Sequence, residues 1–245
     1  VASYTFPVTK GQEYDFIIDA AAYTVTYVFR VSATQQTDGS GIVDVTYDVS
    51  DNEQTTVDIG LEYYDPSGSW HSCTNTAGDV GPGVATGTGK AATWDAKAQL
   101  GGVYIPGCKI KVTADDGAGG TDYNESSAFD LDTAPPTGYG CSTPGNGAEG
   151  VSVDPELVSS TATDDSLPVE YKFAIASDDE ESGWQTETSW NPTTLPYGTT
   201  HWWKVKARDV KGNESDWSAP FSFTTIYKFD IELKAGWNMV SLPLH

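Results

Sequence analysis

Residues 195–218 read LPYGTTHWWKVKARDVKGNESDWS. Within them Trp203, Val205 and Ala207 alternate with Lys204, Lys206 and Arg208. Apolar and cationic residues with a period of two mark a half-buried antiparallel strand, apolar side inward and cations in water. The DVKGN segment that follows, Asp209–Asn213, is turn chemistry, because Gly212 and Asn213 can take positive φ. A turn, an alternating strand and a polar hairpin in succession set this part of the chain in an all-β domain.

The same period recurs upstream. In LPVEYKFAI, residues 167–175, the side chains of Val169, Tyr171, Phe173 and Ile175 share a face, and Trp184 and Trp190 bracket the strand and loop that follow. Further back, Val43, Val45 and Tyr47 share a face, as do Val57, Ile59, Leu61 and Tyr63, and Lys109–Val112 alternates too. Turn segments punctuate these runs: TDGSG at 37–41, SDNEQ at 50–54, DPSGS at 65–69, GPG at 81–83, GTGK at 87–90 and GAGG at 117–120. Short strands at this spacing predict a Greek-key sandwich. A chain of 245 residues accommodates two sandwiches of about 100 residues each. The expected division is an N-terminal strand extension (1–28), a first sandwich (29–133), a Pro/Gly linker (134–150), a second sandwich (151–226) and a C-terminal strand extension or truncated β module (227–245). The pair Pro135-Pro136 should hold the linker extended.

Two family resemblances sharpen this. The stretch Leu195–Ser218 resembles the end of a bacterial-type fibronectin type III domain. That family starts its penultimate strand with a Tyr whose hydroxyl bonds back to the chain. Here His201 takes the position, and the resemblance implies a structural substitute. The runs VSATQQTDGSGIVDVTYDVSD, GDVGPGV, GTGK, TWDA and KIKVTADDG span nearly all of Val31–Gly117. They resemble an immunoglobulin-like module of large bacterial surface and exported proteins. Near the end, GWNMVSLPL resembles the opening strands of a further β module. The resulting expectation is an all-β chain of two tandem immunoglobulin-like/fibronectin type III-like Greek-key sandwiches with strand-like N- and C-terminal extensions. Such domains hold things apart or together and rarely do chemistry.

Thirteen basic residues against thirty-five acidic ones give a formal charge of −22. A surface that acidic repels nucleic acid and anionic lipid, so neither is an expected partner. It suits divalent cations. No stretch is long and apolar enough to span a membrane as a helix. The chain starts at Val1 without an initiator Met or a leader, which reads as a processed protein or as part of something longer. The expected location is extracellular, at the cell surface.

No catalytic constellation emerges. His71, His201 and His245 fall in three different segments, and no zinc-protease, phosphate-loop or dinucleotide motif is present. The expectation is no enzyme activity and no catalytic residue. Calcium is the better use of the acids, since it takes six to eight oxygens of the kind that turn loops provide. The candidate set is Asp115, Asp116, Asp122 and Asn124 with Asp130 and Asp132 near the linker; the alternative is an acidic hairpin in water. Cys73 and Cys108 form a candidate disulfide, with simple buried thiols as the alternative, and Cys141 is left unpaired. The tripeptides starting at Asn124 and Asn213 are candidate glycan acceptors. Trp70, Trp184, Trp190, Trp202 and Trp217 are candidate sugar platforms, weighed against packing roles.

The leading functional expectation is a non-enzymatic structural or adhesive surface protein. It is a candidate filament or surface-layer subunit, binding copies of itself or other surface proteins by strand addition. The candidate assembly strand comprises Phe229, Ile231, Leu233, Trp237, Met239, Val240 and Leu242. The alternative is a carbohydrate-binding accessory region of an exported enzyme.

Overall fold

The computed structural model describes residues 25–229. Ten strands and one short helix precede residue 133: β1 (Thr26–Gln35), β2 (Ile42–Asp51), β3 (Thr56–Tyr64), β4 (Trp70–Ser72), β5 (Thr76–Gly78), β6 (Gly81–Ala85), β7 (Gly87–Asp95), α1 (Ala96–Leu100), β8 (Tyr104–Asp115), β9 (Thr121–Glu125) and β10 (Phe129–Asp132). Eight more follow: β11 (Gly140–Thr143), β12 (Ala148–Val151), β13 (Leu157–Ser160), β14 (Glu170–Ile175), β15 (Glu180–Glu181), β16 (Ser189–Trp190), β17 (Thr200–Arg208) and β18 (Phe221–Thr225).

The strands form four sheets around two cores. In the first half β1-β2-β7-β5 faces β10-β8-β3-β4, with β6 added to β3 and β9 to β8. The alternating residues of β2 and β3 fill the space between them. Val43, Val45, Tyr47, Val57, Ile59, Leu61 and Tyr63 are all buried with Trp94, Ile110 and Val112. The Trp94 ring stacks on Tyr63 at 4.9 Å, and its Nε1 donates to Gln99 Oε1 at 2.7 Å. Gln99 sits on α1, a helix too short to leave a 3.6-residue period in the sequence. It forms because Asp95 caps Ala98 N at 2.9 Å and Gly101, at φ +71°, ends the turn.

In the second half β11-β13-β16 packs on β12-β18-β17-β14-β15. Trp203, Val205 and Ala207 of β17 are fully buried against Tyr171, Phe173 and Ile175 of β14 and Phe223 of β18. Side chains of this size each contribute roughly 1.5–3 kcal/mol on burial. The inward face of β17 is therefore as the alternation predicts.

Its outward face is not. The three cations are stacked among two tryptophans rather than free in water. Lys204 Nζ lies 4.5 Å from the Trp217 ring, and Lys206 Nζ lies 5.2 Å from Trp217 and 5.1 Å from Trp184. Arg208 Cζ lies 4.4 Å from Trp184. The ring quadrupole attracts a cation at these distances. Lys206 and Arg208 also pair with Glu214 and Glu170.

Residues 134–150 also depart from the linker reading. They supply β11 and β12, because Tyr139, Cys141 and Ala148 pack on the second core. Most of both terminal extensions, including Ile231, Leu233, Trp237, Met239, Val240 and Leu242, lies outside the described residues. Phe229, within them, is exposed. Among the described residues no helix is long and apolar enough to cross a membrane.

Candidate functional site

The two halves meet through two hairpins. One is the β1–β2 turn, TDGSG; the other is DVKGN, which closes β17. Gly39 N donates to Lys211 O at 2.9 Å. A Cβ on Gly39 would sit 2.2 Å from Gly212 O, and one on Gly212 would sit 2.6 Å from Gly39 N. Both glycines hold positive φ, +78° and +83°. Only glycine at both positions permits this backbone approach.

Beside the glycines the contacts are polar and buried. Asn213, 1 % exposed, donates from Nδ2 to Asp132 O at 2.9 Å and to Asp209 Oδ2 at 2.9 Å. Its backbone N donates to Asp209 Oδ1 at 2.8 Å. Lys97 Nζ, from α1, donates to Gly39 O at 2.8 Å and to Asn213 Oδ1 at 3.3 Å. Gln35 at the end of β1 bonds both ways to the Asp132 backbone, accepting from N at 2.9 Å and donating to O at 2.5 Å. Asn213 is thus a junction residue: the amide nitrogen that the sequence offers as a glycan acceptor is buried and used in the folded chain. Asn124 stays exposed, though its Nδ2 donates to Val28 O at 3.2 Å.

Three carboxylates converge at this junction. Asp132 ends β10, Asp164 lies in the turn before β14, and Asp209 begins the DVKGN hairpin. Their ligand oxygens lie within 4.8 Å of one another. Asp132 is 1 % exposed; its Oδ1 accepts from Ala134 N, while its Oδ2 is buried with no hydrogen-bond partner. Asp164 Oδ1 accepts from Ser166 N at 2.7 Å. Burial pushes the Asp164 carboxyl up to about 6, against that backbone bond, and the charges of Asp132, Asp209 and Asp165 push it the same way. Burial also raises Asp209, opposed by its bonds from Asn213, with Asp132 adding repulsion. A cleft of about 290 Å³, lined by Asp132, Asp164, Asp165 and Thr163 among others, opens beside Asp132 and Asp164.

The acids singled out in the sequence are not brought together. Asp115 and Asp116 bond the backbone of their own hairpin, accepting from Gly117 N, Ala118 N and Gly120 N. Asp122 accepts from Val28 N, and Asp130 from Gly107 N. Of the six, Asp132 alone belongs to the junction group. Asp164 and Asp209 were missed because nothing in their spacing links them. The usable signal was weaker: Asp132 and Asp209 each stand at the end of a strand, and Asp164 lies in the turn segment between β13 and β14.

Cys73 and Cys108 are free thiols, not a disulfide. Cys73 N bonds Leu61 O where β4 runs along one edge of β3, whereas β8, which carries Cys108, pairs with the other edge. Two strand spacings are about 9–10 Å, beyond the Cα separation that a disulfide spans. Burial raises both thiols, Cys108 to about 12. Cys141 is free too, with its Sγ toward Trp203 O.

His201 is fully buried, with Nδ1 2.6 Å from Asp178 Oδ2 and 3.4 Å from Ser177 Oγ. It anchors β17 to the β14–β15 turn through a side chain rather than bonding back to the backbone. Both partners meet the same nitrogen, and Nε2 is buried without one, so the trio does not have the relay geometry of a hydrolase. The tryptophan faces are largely used. Trp184 and Trp217 carry cations, Trp70 carries Lys111 at 4.6 Å, and Trp190 packs on the core. Trp202 keeps about half its surface exposed.

Fold and junction together define an immunoglobulin-like β-sandwich protein. Residues 156–226 match the family model described as Rha78A-like, N-terminal immunoglobulin domain. The second sandwich is thus similar to that domain over less than a third of the chain. No curated protein matches the chain.

Proposed function

We propose that this chain is a non-enzymatic extracellular spacer. In this reading an immunoglobulin-like and a fibronectin type III-like sandwich are clamped at a fixed angle to present neighbouring segments of a surface or exported protein. The observation that carries it is the junction. Backbones approaching as closely as Gly39 and Gly212, with Asn213 buried between them, suit two units that keep one orientation. Loosely tethered domains would need none of this.

The match to an N-terminal immunoglobulin domain supports a second setting for the same role, as an accessory region ahead of another domain in an exported enzyme. The carbohydrate-binding version is weaker, because the cation-covered faces of Trp184 and Trp217 are not open to stack on a sugar ring. Strand addition through residues 227–245, leading to self-assembly, belongs to the proposal as well. Two measurements test it. Glycan-array probing of the chain should be blank, whereas binding lost on Trp202→Ala would favour the carbohydrate reading. Removing residues 227–245 should abolish any filaments seen by electron microscopy, and unchanged filaments would rule out tail donation.

A further inference from the structure

Three carboxylates from two sandwiches offer ligand oxygens within 4.8 Å of one another. None of the ion pairs among the described residues involves Asp132, Asp164 or Asp209. Lys97, the cation nearest in the hydrogen-bond network, spends its ammonium on Gly39 O and Asn213 Oδ1. The buried Asp132 Oδ2 has no donor at all. An unsatisfied carboxylate oxygen in the interior costs heavily unless something positive meets it.

We infer that Asp132, Asp164 and Asp209 hold a divalent cation of the calcium class between the two sandwiches. Calcium–oxygen distances of about 2.3–2.6 Å put ligand oxygens on opposite sides of the ion about 4.6–5.2 Å apart, which suits the spread of these three. The group draws one ligand from the first sandwich and two from the second, so the ion ties both halves. The remaining coordination positions face the cleft lined by Thr163 and Asp165, where water completes the shell. With three protein carboxylates and a hydrated side, the affinity falls in the range of extracellular calcium modules, about 10⁻⁴–10⁻³ M. The site is separate from the β8–β9 acids, where Asp115 Oδ1 and Asp116 Oδ1 accept from their own hairpin, Asp122 accepts from Val28 N, and Asp116 Oδ2 is buried without a partner.

Binding does not depend on the spacer reading, but the ion's role as a lock rests on it, so the test keeps the two apart. The chelator-treated chain, in 150 mM KCl, is titrated with CaCl2 and with Tb³⁺, following sensitised Tb³⁺ emission and thermal unfolding. Ten millimolar CaCl2 should raise the unfolding temperature by about 3–8 °C. Asp164→Asn and Asp209→Asn should each weaken Tb³⁺ binding at least tenfold, while the doubly substituted Asp115→Asn, Asp116→Asn chain should bind as the parent does. Binding that follows the β8–β9 pair instead would overturn the assignment. So would a parent chain indifferent to both ions. Small-angle scattering with and without CaCl2 reads the lock separately: a chain that binds the ion yet tumbles as two independent units keeps the site and loses the spacer.

Discussion

Two acidic regions of this molecule behave in opposite ways. The β8–β9 hairpin looks the richer, with Asp115, Asp116, Asp122 and Asn124 inside ten residues, yet Asp115, Asp116 and Asp122 each accept from a backbone N–H and their carboxylates are not gathered into one group. The junction draws Asp132, Asp164 and Asp209 from across 78 positions of sequence numbering and sets them within 4.8 Å. Acids dense in sequence tend to sit in turns, where the closest donors are their own amides. The junction acids also take local amides, from Ala134, Ser166 and Asn213, yet folding sets their carboxylates together and leaves Asp132 Oδ2 buried without a partner.

The largest test of that contrast is steric. Gly212→Val at the junction places a Cβ within 2.6 Å of Gly39 N at φ +83°, and should cost about 3 kcal/mol or more of interdomain stability. Calorimetry should then split one transition into two while each sandwich still folds. Gly117→Ala in the acidic hairpin, at φ +68° with open space around it, should cost only about 1 kcal/mol. Equal costs would erase the difference between the two regions.

Next in size are the two asparagines. Asn213→Ala removes bonds to Asp132 O and Asp209 and leaves buried acceptors bare, an expected loss of about 2–3 kcal/mol by urea denaturation. Asn124→Ala, at an exposed site, should lose about 1 kcal/mol or less. The smallest effect is chemical. In a glycosylating host, mass spectrometry of the folded secreted chain should find any sugar on Asn124 and none on Asn213; a glycan on folded Asn213 would mean that the junction opens.

The same contrast explains what could be read in the sequence. Period two gave the inward rows of β2, β3, β14 and β17 correctly, because one face of each strand is buried. It could not show that Lys204, Lys206 and Arg208 would stack with Trp184 and Trp217, since those rings come from loops on either side of β17. Local turn chemistry marked Gly39 and Gly212 as turn glycines. That each is glycine for the other's sake is a tertiary fact. Asp132 was legible as a linker-side acid, whereas Asp164 and Asp209 were not, as only the docking of the hairpins makes them neighbours.

The central claim is that the two sandwiches hold one orientation. Residual dipolar couplings measured on backbone amides of both halves, in one aligned sample, test it most directly. A clamped junction predicts that a single alignment tensor fits residues 26–132 and 140–225 together. Two tensors of clearly different magnitude would mean that the halves reorient independently, and would contradict it.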